Sequence, residues 1–475
     1  MLSLGLALLV PLAISLLYAD GSWESFLIPA AVMVAIGGLG LQATLPRSGR
    51  RLGYVLPRDV LLSVTLAWAS VALLGGIPFL LEGTFANPVD STFESMSGFT
   101  TTGATLLSEV EAETPSILFW RSMTQWLGGI GIVLLFVAVA PVIGFGAARL
   151  ISAEVSGISQ PRLTPRIADT AKVLLSIYFT LSIAEVVALL VAGMSLYDAV
   201  VHAFTTIATG GFNPYTASVG FYDSVAIEAV LIFFMVLSGV SFALYYVLYT
   251  GRTLRAMRDT ELLTYLSITV GSVLLVWAVL VAEGDYASDW AGALRDSAFT
   301  VTSIITTTGY VTADYDQWDT MARITLVVLM FVGGCAGSTA GGIKVVRVIV
   351  VFKTVLADLF RGIHPQAVTP LRLGDRVLSE DTRTAILGLV LAWFAIFAVA
   401  TTLVASQEDL TPLSAATAVA ATLNVVGPGL GQVGASESYE VVNPFGRVVL
   451  TVCMLLGRLE ILTALALLSP AFWRR

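Results

Sequence analysis

The chain contains the stretch Thr100-Thr101-Thr102-Gly103-Ala104, and three similar stretches follow it at long intervals. They are Ile207-Ala208-Thr209-Gly210-Gly211, Thr306-Thr307-Thr308-Gly309-Tyr310 and Asn424-Val425-Val426-Gly427-Pro428. The loop glycines at 103, 210, 309 and 427 are equivalent in this pattern, and the spacings between them are 107, 99 and 118 residues. One Thr-Gly pair is common in turns, but four at nearly constant spacing indicate an internal repeat.

The composition around these loops is that of a membrane protein. Of 475 residues, 56% are hydrophobic and 12% are charged, whereas a soluble domain carries about 25% charged residues. Apolar runs long enough to cross a bilayer as helices predict ten spans, roughly at 2–18, 25–45, 57–81, 115–142, 170–193, 222–250, 262–283, 320–357 (interrupted), 382–405 and 444–470. We therefore expect an all-α polytopic membrane protein.

A shorter semi-apolar segment precedes each of the four loops. These segments, near 88–99, 196–208, 290–305 and 411–423, are too short to cross a bilayer. They suit re-entrant helices, which are tolerated where protein or a wet cavity shields the backbone. The pattern predicts two N-terminal helices plus four helix–pore-loop–helix repeats around a central pore, with boundaries at 1–46, 47–142, 143–250, 251–357 (interrupted second helix) and 358–475.

The charges predict the orientation of the spans. Most of the 25 Lys and Arg residues fall in the loops on one side, and the short segments all fall on the other, acidic side. The positive-inside rule places the basic face and both termini in the cytoplasm. The acidic face has two compatible interpretations: it keeps the outer loops soluble, or it raises the local cation concentration at a pore mouth.

The residue types in the loops fit cation recognition by the backbone. A dehydrated potassium ion is held by rings of carbonyl oxygens, and glycine permits the positive φ that aims such carbonyls. The four loops contain no charged side chain, and each follows the carboxyl end of a short helix, which carries partial negative charge. We call them the first to fourth filter loops (100–104, 207–211, 306–310 and 424–428), and expect them to surround one ion pathway.

Five segments together resemble the Trk/Ktr/HKT superfamily of potassium transporters, specifically its Trk-type membrane subunit. They read SGFTTTGA at 97–104, ATGGF at 208–212, TTTG at 306–309, NVVGPGLG at 424–431 and MLLGRLE at 454–460. The resemblance implies that filter carbonyls bind potassium at Thr101, Thr102, Gly103, Ala208, Thr209, Gly210, Thr307, Thr308, Gly309, Val425, Val426 and Gly427. Some plant relatives that transport sodium carry serine in the first loop, where this chain has Gly103.

The same resemblance implies partners and a location. It suggests a homodimer in the cytoplasmic (inner) membrane, docked on a cytosolic TrkA-like ring of nucleotide-binding regulatory subunits. The lipid bilayer is an expected partner and nucleic acid is not. The chain would be a transporter and not an enzyme, with no cofactor of its own and K+ as the transported ion.

A glycine cluster interrupts the eighth span. Gly333, Gly334, Gly337, Gly341 and Gly342 fall within ten residues, and each costs a helix about 1 kcal/mol relative to alanine. Close helix packing on small residues is the alternative. The density favours a non-helical loop, which we name the intramembrane loop (333–342). It resembles the loop that blocks the path below the filter in the family.

Two basic residues complete the predicted gate. Lys344 directly follows the intramembrane loop, and Arg458 lies deep in the last span, where a charge is costly and usually functional. Glu460 is two residues further on and does not share its helix face. Arg458 is therefore expected either to bond carbonyls of the intramembrane loop, as the resemblance suggests, or to form a buried ion pair, for example with Glu185.

Other classes of function fit less well. An inverted-repeat transporter has halves of opposite topology, whereas all four repeats here enter from one face. An intramembrane enzyme needs converging acids, nucleophiles or metal ligands, and ionisable residues in the spans are few. A structural scaffold gives no reason for four glycine-containing loops. His202 and His364 have no accompanying metal-ligand pattern.

Overall fold

The computed structural model describes residues 1–44, 57–143, 167–249, 257–284, 286, 289–367, 369–374, 376–407, 409–461 and 472. The predicted basic loops at 45–56, 144–166 and 250–256, and the end of the last span, lie outside the described residues. The helices are Leu2–Ala7, Leu9–Tyr18, Trp23–Thr44, Pro57–Gly75, Ile77–Glu82, Pro88–Phe99, Pro115–Ile143, Ile167–Val191, Leu196–Ile207, Val225–Ser238, Phe242–Tyr249, Thr260–Glu283, Trp290–Ile305, Thr320–Val332, Val345–Ile363, Glu380–Val404, Pro412–Leu423 and Pro444–Arg458. Two-residue strands, Arg372–Leu373 and Arg376–Val377, pair antiparallel. The predicted all-α class is confirmed.

Several helices are long and apolar enough to cross a membrane. Within the described residues there are five, or six if one bent pair is a single span, and they are Trp23–Gln42, Arg58–Glu82, Asp169–Val191, Thr260–Glu283 and Glu380–Val404, with the pair Val225–Ser238 and Phe242–Tyr249. Leu2–Tyr18 and Thr320–Val332 are shorter apolar helices at two more predicted spans. A multi-pass membrane protein follows, while the total of ten spans stays a prediction.

Four short helices occupy the predicted re-entrant segments. These pore helices are Pro88–Phe99, Leu196–Ile207, Trp290–Ile305 and Pro412–Leu423, numbered first to fourth. At the start of each helix, the side chain of the capping residue accepts a hydrogen bond from a backbone N–H of the first turn. The capping residues are, in order, Asn87, Ser195, Asp289 and Thr411. Such caps satisfy N–H groups that the first turn leaves free.

The pore helices close the four repeats into a ring. Each one packs between the two long helices of its own repeat and also against the second helix of the preceding repeat. The first pore helix completes the cycle, because it packs against Pro444–Arg458 of the fourth repeat. Ring closure brings the carboxyl ends of all four pore helices to one place.

One predicted span is not continuous. We predicted one span over 222–250 without a break, but its two helices, Val225–Ser238 and Phe242–Tyr249, meet at 88°, so the break is a feature that the sequence did not predict. The backbone of the break bonds to the intramembrane loop instead: Cys335 N donates to Gly239 O at 2.9 Å, and Phe242 N donates to Gly337 O at 3.0 Å. The tertiary contact replaces helical bonds that a continuous span would make.

The eighth span is interrupted at the predicted place. Thr320–Val332 and Val345–Ile363 are separated by non-helical residues that include the whole intramembrane loop. Gly333 and Gly342 have φ of 70° and 74°, a left-handed region that glycine enters without steric cost. The loop alternative is therefore the one observed, and close packing of a continuous helix is not.

Candidate ion pathway

The four filter loops share one backbone conformation, which begins where each pore helix ends. In the first loop, Thr101 N donates to Gly98 O at 2.9 Å and Thr102 N to Ser97 O at 2.8 Å, the pattern of a Schellman helix end. The same pair of bonds recurs in the other three loops. The left-handed residues are Thr101, Thr209, Thr307 and Val425, with φ of 58°, 56°, 57° and 61°.

The conformation corrects the register of the second loop. Two residues after each left-handed residue stands a glycine with positive φ, and these glycines are Gly103, Gly211, Gly309 and Gly427. We had matched Gly210 to Gly103, which is off by one residue. Gly210 instead occupies the position of Thr102, so the second loop has glycine where the first and third have threonine.

These glycines lie side by side in a closed cycle. A Cβ atom added to Gly103 would overlap the carbonyl oxygen of Gly210, and one on Gly211 would overlap that of Thr308. One on Gly309 would overlap the carbonyl oxygen of Val426, and one on Gly427 would lie 2.7 Å from that of Thr102. The loops therefore meet in the order first, second, third, fourth and back to first. The contacts between neighbouring loops are made by backbone atoms, and the four loops contain no charged side chain.

Buried side chains that the sequence analysis did not identify form hydrogen bonds with the backbone of the filter loops. Gln125 Nε2 donates to Gly210 O at 2.7 Å, and its Oε1 accepts from Phe212 N at 3.0 Å. Tyr439 donates its hydroxyl to Gly427 O at 2.7 Å. Nothing in a single sequence marks these residues, because their role depends on tertiary contacts.

A buried ion pair supports the outer side of the first two loops. Arg121 Nε lies 2.9 Å from Glu94 Oε1, and both side chains are almost fully buried. Glu94 also accepts from Leu106 N at 3.0 Å, and the Arg121 guanidinium stacks 4.2 Å from the Phe212 ring centroid. The pair fixes the backbone that follows the first loop and the side chain that follows the second.

The intramembrane loop lies directly against the filter loops. Gly341 N donates to Thr307 Oγ1 at 2.7 Å, and a Cβ on Gly341 would overlap the carbonyl oxygen of Asn424. Thr339 Oγ1 donates to Ile207 O at 3.0 Å. The loop thus contacts the second, third and fourth filter loops.

Arg458 bonds carbonyl oxygens, one of them in the intramembrane loop. Its Nη1 donates to Thr339 O at 2.8 Å and its Nη2 to Gly128 O at 3.3 Å. The ion pairs of the described residues do not include Arg458, so the alternative of a pair with Glu185 is wrong. Lys344 Nζ donates to Ala340 O in the same loop. The predicted gate residues are therefore brought together.

Glu460, two residues beyond Arg458, pairs with another arginine. Arg347 Nη2 lies 2.5 Å from Glu460 Oε2, and Arg347 Nη1 donates to Ile343 O at 3.2 Å. This pair joins the end of the last helix to the helix that follows the intramembrane loop.

Comparison with known proteins identifies the family. The TrkH family profile, described as "Cation transport protein", matches residues 57–475. The chain belongs to the TrkH family. This is a family of transport proteins, so the chain is not an enzyme.

TrkH-family relatives align with nearly the whole chain. The "Trk system potassium uptake protein TrkH" of Halomonas elongata is 38% identical over 474 residues, covering 99% of this chain and 96% of that protein. The TrkH protein of Escherichia coli K12 is 37% identical over 471 residues, covering 98% and 96%. The crystal structure of the potassium transporter TrkH from Vibrio parahaemolyticus superposes with a TM-score of 0.90 at 36% identity, covering 99% of this chain and 96% of that one. The coverage includes the two N-terminal helices, which precede the part matched by the profile.

Proposed function

We propose that this chain takes up potassium ions across the cytoplasmic membrane through the ring of four filter loops. The observation that carries the proposal is the closed cycle of glycines and carbonyl oxygens, with four equivalent loops contributed by one chain. Backbone carbonyls replace the hydration shell of a potassium ion. The relatives named as potassium uptake proteins support the choice of ion.

The gate in this proposal is the intramembrane loop together with Lys344 and Arg458. Arg458 bonds the loop at Thr339 O, and the loop in turn contacts three filter loops. A positive charge held in the path repels a cation, and the bonded loop narrows the route. Ion flow then requires these bonds to break.

The proposal extends to partners and orientation. Both termini lie in the cytoplasm, because the basic loops gather on one face. The transporter is a homodimer, and a TrkA-like ring of nucleotide-binding subunits docks on the basic segments near 143–170 and 353–381. The expression "Trk system" in the relatives' names supports a multi-component assembly.

The direct test is the flux of potassium against sodium in liposomes that contain the purified chain, for the native protein and Gly103→Ser. The native chain should pass potassium faster than sodium. Serine at 103 would place a Cβ over the Gly210 carbonyl at φ 84°, so discrimination should fall. Gly271→Ser is the matched control, because Gly271 has no atom within 4 Å of an added Cβ. Equal native fluxes of the two ions, or unchanged discrimination in Gly103→Ser, would contradict the proposal.

A further inference from the structure

The buried side chain of Glu261 joins the intramembrane loop to the helix that follows it. Glu261 is 6% exposed, and its Oε1 accepts from Ala336 N at 2.7 Å and from Val346 N at 3.2 Å. Ala336 lies within the intramembrane loop and Val346 in the first turn of the helix that follows. One oxygen atom therefore ties Ala336 of the loop to the first turn of the helix that follows.

The position of Glu261 is itself fixed by a helix cap. Glu261 is in the first turn of Thr260–Glu283, and Asp259 Oδ1 accepts from Glu261 N at 2.9 Å and Leu262 N at 3.0 Å. The cap defines the start of the helix and so the direction of the carboxylate. Residues 250–256, which precede the cap, form one of the predicted basic loops.

A small hairpin continues this link to the surface. Residues 371–374 and 376–378, which we call the surface hairpin, include the paired strands Arg372–Leu373 and Arg376–Val377. Leu371 packs in one apolar cluster with Ala336 of the intramembrane loop and with Val346. At the tip, a Cβ on Gly374 would lie 3.6 Å from Thr260 Oγ1. The surface hairpin therefore contacts both the intramembrane loop and the turn that carries Glu261.

We propose that Glu261 is a positioning residue that holds the intramembrane loop in its closed place and couples it to the surface hairpin. Movement of the hairpin or of the Asp259 cap shifts the Glu261 carboxylate, which releases Ala336 and with it the loop. The gating part of this inference rests on the proposed function, whereas the positioning part concerns the loop alone.

A native thiol reports the position of the loop independently of ion flux. Cys335 precedes Ala336 and is 1% exposed, so its reaction with a small maleimide requires the loop to move. Cys453 is also buried, and Cys453→Ala leaves Cys335 as the single thiol. Maleimide labelling and potassium flux would be measured on the same full-length protein in liposomes.

Three substitutions test the role of the carboxylate. Glu261→Ala removes the oxygen atom that accepts both bonds, so labelling of Cys335 should rise by at least about tenfold and potassium flux should rise with it. Glu261→Gln keeps an acceptor oxygen, so labelling should stay within about threefold of the native rate. Glu261→Asp, one methylene shorter, replaces Glu261→Ala if the latter does not fold, and should also accelerate labelling.

The control and the contrary outcomes separate the two proposals. Glu283→Ala removes an exposed carboxylate from the other end of the same helix and should label at the native rate. Unchanged labelling in folded Glu261→Ala, or equal acceleration in Glu261→Gln, would overturn the positioning role. Faster labelling with unchanged potassium flux would support the positioning role and contradict the proposed gate.

Discussion

Gln125 donates its side-chain amide to the backbone carbonyl of Gly210 across a distance of 2.7 Å. Because its carbonyl oxygen also accepts from Phe212 N, this one side chain spans the second filter loop. Gly210 lacks the side chain that Thr102 and Thr308 have at the equivalent positions. The second loop therefore depends on a neighbouring helix for support.

Gln125→Ala should weaken ion discrimination. It leaves the Gly210 carbonyl and the Phe212 N–H without these partners, at a cost of about 1–3 kcal/mol for each unsatisfied group. The ratio of potassium to sodium flux in liposomes should fall. Gln317→Ala, at an exposed position, is the matched control and should keep the native ratio, and an unaltered ratio in both variants would refute a supporting role for Gln125.

Gly211→Ala should be more harmful than Gly210→Ala. Gly211 has φ of 80° and faces the Thr308 carbonyl, whereas a Cβ on Gly210 would meet the Gln125 side chain. A side chain can move aside more readily than a backbone carbonyl. Potassium flux should drop further in Gly211→Ala, and the reverse order would restore the register that aligns Gly210 with Gly103.

Arg458→Ala should raise potassium flux through the isolated chain. The substitution removes two hydrogen bonds to carbonyl oxygens and a positive charge beside the intramembrane loop. Rubidium uptake into liposomes measures the change. Arg323→Ala, in the first turn of Thr320–Val332, is the control. Native or lower uptake in a folded Arg458→Ala protein would count against the gate.

Breaking the ion pair between Glu94 and Arg121 should destabilise the protein strongly. Glu94→Ala leaves a buried guanidinium without its partner, which costs about 3–5 kcal/mol. Asp169→Ala removes one member of the exposed pair with Lys172 and should cost about 0–1 kcal/mol. Thermal unfolding in detergent compares the two, and a similar change in both melting temperatures would contradict the expectation.

The loop between the first two predicted spans should respond to acid. Burial raises the pKa of Asp20, but hydrogen bonds from Ser15 and Ser116 outweigh it and leave the pKa below its ordinary value. A carboxylate with a depressed pKa stabilises the folded state above about pH 4 and loses that contribution as the pH falls through the folded pKa. The melting temperature of the native protein should therefore exceed that of Asp20→Asn at neutral pH, and the difference should disappear in acid. A difference in melting temperature that does not change with pH would argue against a stabilising contribution from the Asp20 carboxylate.

The sequence was sufficient for features that depend on local pattern. Four pore helices, four loops and the interruption at the glycine cluster follow from apolar period, length and glycine density. It was not sufficient where tertiary contacts decide between two local alternatives. The second loop has two adjacent glycines, Gly210 and Gly211, and only the fold distinguishes them. The break at 239–241 contains a single glycine, and its cause is a bond to Cys335 that lies far along the chain.

Caps show the same division on a smaller scale. In the sequence, Asp90, Asp198 and Thr411 stand near the starts of three pore helices, and each has a side chain of a type that caps helices. Thr411 is a cap, whereas Asn87 and Ser195 cap the first two helices, and Asp90 and Asp198 lie in the first turn. Several polar residues cluster at each start, and only the backbone conformation shows which one accepts the N–H bond.

Because the four filter loops contact one another in a cycle, the geometry of the ring depends on all four loops together. Since each glycine borders the carbonyl of the next loop, a shift in any one loop displaces its neighbour and then the remaining two. Substitutions in different filter loops, although far apart in the sequence, should therefore change the ion preference in similar ways. A second substitution that restores the native ion preference should be found in an adjacent filter loop more often than in the loop that carries the first substitution.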